Sequence, residues 1–352
     1  LTAINSTDAN YTIAIGYQAG YALTSGQYST FVGYGAGYSS DTNDGNTFIG
    51  YLAGYEADSA TTAANQNTYL GAFAGRFLDD GAENVAIGYD AMASNSDGAA
   101  NAVNKSIAIG RAAMASSVSN QGTIVIGYYA GDHASADVDN AIIIGREAGR
   151  GAMTSDADGT VLIGAYAGAA LTSGVGNTAI GYGALDAEDD GDNNTAVGYQ
   201  ALSSQTGFSG EVGNTAVGYQ AADALTTGKF SVFMGAHAGS AITTGGYNVA
   251  IGYGAMRYPT GLTGNTAIGW NALTAMSGSA GNKFNTAVGY GSGDSVTTAD
   301  SLTLIGAQTG QAITTGNDNT AVGYLSLNQL ETSGSNTAVG HMAGYHTMGN
   351  SN

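Results

Sequence analysis

The chain has 352 residues with one proline and no cysteine, and 8 basic against 27 acidic residues give it a net charge of −19. Such a charge disfavours nucleic acid and anionic membrane surfaces as partners, because both require clustered lysine and arginine. Without cysteine there is no disulfide framework. No apolar run approaches the roughly 18 residues of a membrane-spanning helix. We therefore expect neither a nucleic-acid partner nor membrane insertion.

A short phrase, NTAVGYQAL at residues 194–202, recurs from one end of the chain to the other. Taking its glycine as position 0 gives nineteen repeats, and twelve of the eighteen intervals between them are 17 residues long. The other six intervals are longer by one to five residues. A unit this short cannot enclose its own core, so neighbouring repeats must stack. The sequence predicts an all-β parallel solenoid of about nineteen coils with loop insertions, forming one domain over residues 1–352.

Each repeat begins with a predicted strand before the glycine. Position −3 is always Thr, Val or Ile, and position −1 is Ile, Val, Leu or Met. Side chains two residues apart share one face of a strand, so we expect positions −1 and −3 to fill the coil interior. Asparagine at position −4 in eleven repeats predicts an amide ladder at a corner of the coil. No segment has a sustained helical period.

Position −2 then points out of the predicted coil, although it is apolar in all nineteen repeats. Eleven of these residues are alanine and eight are larger. A solvent-facing stripe of large apolar side chains usually marks an interface. The sequence thus predicts self-association through the eight larger residues at position −2, which are Phe31, Phe48, Tyr69, Val125, Ile143, Leu162, Phe233 and Leu304.

Position +1, just after the glycine, is aromatic in twelve repeats. In stacked coils these rings come into line, and we expect them to form a stabilising ladder rather than a strip that binds carbohydrate.

Several acidic turns place carboxylate and amide oxygens around a glycine. Ca²⁺ prefers such hard oxygen ligands, so calcium is the expected cofactor, if one is bound. Ordinary solvated turn acids are the alternative, because none of these turns completes the spacing of an EF-hand loop. The candidate ligands are Asp41, Asp44, Asp79, Asp80, Asp156, Asp158, Asp189, Asp190 and Asp192.

The segments Asn84-Val85-Ala86-Ile87-Gly88 and Asn248-Val249-Ala250-Ile251-Gly252 resemble the NSVAIG head repeats of trimeric autotransporter adhesins of the YadA type. The chain is also similar to NTAVGYxAL repeats of phage tail fibres and large secreted bacterial proteins. The resemblance implies a left-handed parallel β-roll, often trimeric, that is exposed at a surface.

The sequence contains no GxSxG, HExxH or Cys/His motif, so we expect a protein without enzymatic activity and without catalytic residues. The favoured function is an extracellular or cell-surface structural and adhesive fibre, either a trimer or a head-to-tail filament with uncapped ends. A host-surface protein or glycan is a further expected partner. The alternative is a phage tail-fibre shaft or receptor-binding segment of a virion. Ice binding is disfavoured, because it needs Thr-x-Thr ranks on an exposed face and the threonines at −3 are expected to point inward.

Overall fold

The computed structural model describes residues 11–56, 64–78, 80–94, 103–116, 119–132, 138–206, 209–277 and 281–346. Over these residues the chain is a parallel β-solenoid of about nineteen turns, each of roughly 17 residues. A single 3₁₀ turn, Ser155–Ala157, is the one helical element of the described chain. The predicted fold class is confirmed. The fold groups into two compact units, Leu1–Asn177 and Thr178–Asn352, each built from the same repeat.

Every turn contributes one three-residue strand that covers positions −3 to −1. In the first unit these strands are Ile13–Ile15, Thr30–Val32, Thr47–Ile49, Thr68–Leu70, Val85–Ile87, Ile107–Ile109, Ile124–Ile126, Ile142–Ile144 and Val161–Ile163. In the second unit they are Thr178–Ile180, Thr195–Val197, Thr215–Val217, Val232–Met234, Val249–Ile251, Thr266–Ile268, Thr286–Val288, Thr303–Ile305, Thr320–Val322 and Thr337–Val339. Consecutive strands within a unit pair in parallel, position against equal position, as Ala196 does with Ala216.

Two shorter strand pairs lie in the second unit, beside its longer intervals. Gly191–Asp192 pairs with Gly210–Glu211, and Leu262–Thr263 pairs with Gly281–Asn282. In each pair the later strand belongs to an interval of 20 residues. The described segments of these longer intervals therefore keep the parallel register.

The orientation of the strands is opposite to the sequence prediction. Position −2 points into the coil, and its larger residues are at most 1 % exposed. Positions −3 and −1 point outward, and Ile15 and Ile305 at position −1 are 60 % and 41 % exposed. The predicted self-association stripe is therefore wrong as a surface. Phe31, Phe48, Tyr69, Val125, Ile143, Leu162, Phe233 and Leu304 are core residues.

The physical reason is the narrow interior of the coil, where positions −2 and +4 fill the same space. A Cβ added at Gly37 would lie 2.7 Å from the Phe31 ring, and one added at Gly54 would lie 2.6 Å from the Phe48 ring. All eight repeats with a large residue at −2 have glycine at +4. Seven of the eleven repeats with alanine at −2 have Leu or Met at +4. Each coil thus holds about one large side chain from this pair of positions.

Position −4 lies on the same side of the chain as −2, and there the predicted amide ladder is confirmed. The buried Asn248 side chain accepts a hydrogen bond from the Asn265 backbone N–H (3.0 Å) and donates one to the Leu262 carbonyl (2.8 Å). Where serine replaces asparagine, its hydroxyl serves the same purpose, because Ser231 Oγ accepts from the Asn248 N–H at 3.0 Å. The ladder satisfies backbone groups that the corner buries, which would otherwise cost about 1–3 kcal/mol each.

The glycine at position 0 marks the closest approach of one coil to the next. Gly88 has φ +135°, and a Cβ added there would lie 2.6 Å from the carbonyl oxygen of Gly110 in the following coil. No L residue fits both the dihedral angle and the contact. The repeated glycine is therefore a requirement of stacking.

We expect Gly88→Ala to lower the free energy of unfolding by about 3 kcal/mol or more, since backbone strain and overpacking add together. Gly159→Ala is the matched control, because Gly159 also has positive φ (+68°) but a Cβ there meets nothing within 4 Å. Its cost should be about 1 kcal/mol. Thermal and urea unfolding followed by circular dichroism measure both variants. Equal losses in the two would contradict a role for contact between coils.

Candidate functional site

The outward side of the strand ladder forms a regular surface in each unit. We call it the outer face and define it by positions −3, −1 and +1 of the repeats. At position −1, Ile180 and Met234 are 37 % and 41 % exposed, and at position +1, Tyr182 and Tyr219 are 47 % and 49 % exposed. Because the strands pair in register, each position forms a straight column of similar side chains. The outer face is therefore a broad apolar surface that solvent reaches.

The outer face carries no acidic residue in any of the nineteen repeats, although the chain has 27 such residues. Position −3 is threonine in eleven repeats and Val or Ile in the rest, and position −1 is aliphatic or Met throughout. Its few cationic side chains include Arg111 and Arg146 at position +1. An apolar surface kept clear of acids on a chain of net charge −19 is the kind of patch that marks an interface.

In each unit, aromatic residues at position +1 of consecutive repeats stack on one another, as the sequence predicts, although Tyr89, Tyr128 and Tyr253 make edge-on contacts instead. Ring centroids of Tyr182 and Tyr199 lie 5.2 Å apart, and those of Tyr199 and Tyr219 lie 5.3 Å apart, with nearly parallel planes. The first unit holds the same arrangement at Tyr17, Tyr34 and Tyr51. Because neighbouring rings cover each other's flat faces, the columns offer mainly ring edges and hydroxyl groups to solvent.

The threonines at position −3 also point outward, so the expectation that they face the interior is wrong. Thr215 and Thr266, for example, are half-buried on the outer face and not enclosed in the core. Position −1, the next outward residue along the strand, is never threonine. The strands therefore still lack the Thr-x-Thr ranks that ice binding needs, because position −1 supplies no second threonine.

Most of the predicted calcium ligands are scattered along the turns. Asp44 Oδ1 accepts a hydrogen bond from the Gln27 N–H at 2.6 Å, and Asp158 Oδ1 accepts one from the Asp139 N–H at 2.7 Å. These two carboxylates thus cap backbone groups of a neighbouring coil. Asp156 is exposed on the 3₁₀ turn. The others outside the 188–192 turn are Asp41 and Asp80, which are half-buried, and Asp79, which lies outside the described residues.

Within the described part of the chain, the structure brings acids together in one turn, where oxygen atoms of Glu188, Asp189 and Asp190 lie within 4.8 Å of one another. Glu188 is fully buried and accepts hydrogen bonds from the Gly191 N–H (2.8 Å) and from Gln205 Nε2 (2.6 Å). Burial raises the pKa of Asp190, and the nearby carboxylates of Asp189 and Asp192 raise it further. A divalent cation would relieve this repulsion.

Glu188 is the member of this cluster that is not among the candidate ligands named from the sequence. It occupies position +7, where other repeats place core residues such as Leu171, Leu225 and Ile242. The sequence alone shows a glutamate at a position that is aliphatic in these other repeats. Such a residue indicates a specific site, because a buried acid needs a partner.

The chain matches no protein-family model, no curated protein and no solved structure. Among the described residues no helix is both long and apolar enough to cross a bilayer. Function must therefore be inferred from the geometry of the surface itself.

We expect millimolar Ca²⁺ to raise the melting midpoint by a few degrees relative to EDTA, because a ligand that binds only the folded state stabilises it. The double variant Asp189→Asn/Asp190→Asn should lose this response. Asp318→Asn/Glu331→Gln removes the same charge from exposed positions elsewhere and should keep it. Identical midpoints of the parent protein in Ca²⁺ and in EDTA would show that the acidic turn holds no calcium.

Proposed function

We propose that the protein is a non-enzymatic structural and adhesive solenoid that assembles with further copies of itself through the outer face. The observation that carries this proposal is the complete exclusion of acidic residues from that face in a chain of net charge −19. Two such chains repel each other over most of their surface. They approach with the least repulsion where apolar columns meet.

A second copy of the chain suits this face for geometric reasons. Strands about 4.8 Å apart make the ten-stranded ladder of the second unit roughly 40 Å long. Its columns are straight and nearly uniform, so the face of one chain is complementary to the same face of another about a symmetry axis. Burying half-exposed residues such as Met234 and Ile305 would contribute about 25 cal/mol for each Å² removed from water. The contact we propose therefore replaces the predicted stripe at position −2 with positions −3, −1 and +1.

The resemblance of the repeat to adhesin head repeats supports an extracellular or cell-surface location and a trimer as the assembly. The alternative is a phage tail-fibre shaft or receptor-binding segment, which would use the same outer face for assembly. Neighbouring genes for virion proteins would favour this alternative, whereas neighbouring genes for secretion or cell-surface anchoring would favour the adhesin.

Replacing two outer-face residues by lysine should abolish assembly and leave the fold intact. In Met234→Lys/Ile305→Lys both side chains start about 41 % exposed, so the folded coil tolerates them. A lysine buried in an apolar contact without a partner is strongly unfavourable. We expect the parent to form a defined oligomer at micromolar concentration by sedimentation velocity, and the variant to be a monomer that keeps the parent's circular dichroism spectrum.

The control is Val175→Lys/Tyr258→Lys, which adds the same charge at positions 45 % and 56 % exposed that lie off the outer face. This variant should assemble like the parent. A parent chain that stays monomeric at tens of micromolar, or a Met234/Ile305 variant with the parent's mass, would refute the proposed interface.

A further inference from the structure

A groove opens on the side of the first unit where position +5 changes from large to small residues. Tyr21, Tyr38 and Tyr55 occupy this position in the first three repeats and stack on one another, with centroids 5.0 and 4.8 Å apart. Further along the chain the same column continues with Arg76, Ala93, Ala115 and Asp132, none of which carries an aromatic ring. The missing rings leave a cavity of about 340 Å³, within the range of small-molecule sites.

Two polar atoms in the wall of the groove have no hydrogen-bond partner among the described residues. The Arg76 guanidinium lies 4.0 Å from the Phe77 ring centroid and 5.1 Å from that of Phe73, so aromatic rings fix its position. Its Nε is buried and makes no hydrogen bond. Ser94 is 2 % exposed, and its Oγ is likewise buried without a hydrogen bond. Buried polar atoms left in this state are costly, which points to a ligand that satisfies them.

The lining of the first groove carries one cation, Arg76, and two carboxylates, Asp90 and Asp132. Asp90 is half-buried beside Arg76 and Arg111, and burial raises the pKa of its carboxyl while the two arginines oppose that rise. Asp132 and the Ser116 hydroxyl complete the polar lining, and Tyr129 adds an aromatic ring. Two carboxylates beside these arginines disfavour an anionic ligand. Mixed donors and acceptors with an aromatic ring suit a neutral ligand that carries many hydroxyl groups.

A second groove of about 420 Å³ continues from the first and shares Arg76 and Phe77 with it. Its lining includes Tyr51, Leu52 and Tyr55. Two adjoining grooves that follow successive coils favour a long ligand over a compact one.

We propose that this pair of grooves binds a neutral linear polysaccharide, with Arg76 and Ser94 donating hydrogen bonds to its hydroxyl groups and Tyr129 packing against a sugar ring. This goes beyond self-assembly and can be tested separately from it, because Met234 and Ile305 lie in neither groove, although Tyr34 and Tyr51 of the outer face line the second one. The protein would then attach to a glycan surface along its side while the outer face assembles copies of the chain.

The test is isothermal titration of the full chain with neutral linear oligosaccharides of glucose, mannose, galactose and N-acetylglucosamine at several lengths. Uronic-acid oligomers of equal length serve as the anionic comparison. We expect one neutral series to bind, with affinity that rises with chain length, and the uronic-acid series to bind at least tenfold more weakly. The proposal fails if no neutral oligosaccharide binds at millimolar concentration, or if the uronic acids bind best.

Two variants locate the site. Ala115→Tyr restores the ring that earlier repeats carry at position +5, so it should fold, fill the groove and weaken binding at least tenfold. Ala169→Tyr is its matched control, at position +5 outside the groove, and should bind like the parent. Ser94→Ala removes an unsatisfied hydroxyl, so its melting midpoint should be unchanged or higher while binding weakens about three- to tenfold. Parent-like binding by Ala115→Tyr, or equal loss in Ala169→Tyr, would overturn the assignment.

Discussion

The close approach of successive coils at position 0 is the constraint on which the rest of the structure depends. A Cβ at Gly218 would lie 2.6 Å from the carbonyl oxygen of Gly235, so only glycine lets the two backbones come this close. That contact holds adjacent strands in register whatever the length of the interval between them. After the glycine the chain turns through left-handed residues at +2 and +4, such as Gln200 and Leu202, both at φ 52°.

Register at the glycine turns a repeated sequence into columns of like side chains. Inside the coil, asparagines satisfy the buried backbone, and large and small residues at −2 and +4 complement each other. Outside, Thr, aliphatic and aromatic columns form the outer face, and the acids are confined to turns and corners. Because identical environments repeat, a local departure is conspicuous. The alanines at position +5 that follow the tyrosine column open the first groove, and the replacement of an aliphatic residue by Glu188 creates the acidic turn.

Much of the fold could be predicted from the sequence, because the glycine period fixes the number of coils and the strands that precede it. The asparagine ladder and the stacked tyrosines also follow from columns in register. Which face of each strand points into the coil could not be predicted from the alternation of polar and apolar residues. A three-residue strand such as Thr266–Ile268 has apolar or β-branched residues on both faces. The deciding signal was nevertheless present in the sequence, because Phe31 and Phe48 at −2 are each followed by glycine at +4.

The candidate sites were harder to predict for the same reason. Assigning the wrong face placed the interface on buried residues such as Phe233. The first groove is lined by residues from four successive repeats, from Arg76 to Asp132, and the repeat pattern alone does not give the distances between them. The acidic turn was predicted in part, from Asp189 and Asp190, but without the buried glutamate beside them.

The orientation of the strands is the central claim, and the absence of cysteine permits a direct measurement of it. Leu304 is fully buried and Ile305 is 41 % exposed, although they are neighbours on one strand. The variants Leu304→Cys and Ile305→Cys can be reacted with a maleimide at nanomolar concentration under native conditions. We expect the thiol at 305 to react promptly and the thiol at 304 to react only as the protein unfolds. Prompt reaction at 304 with protection at 305 would contradict the account.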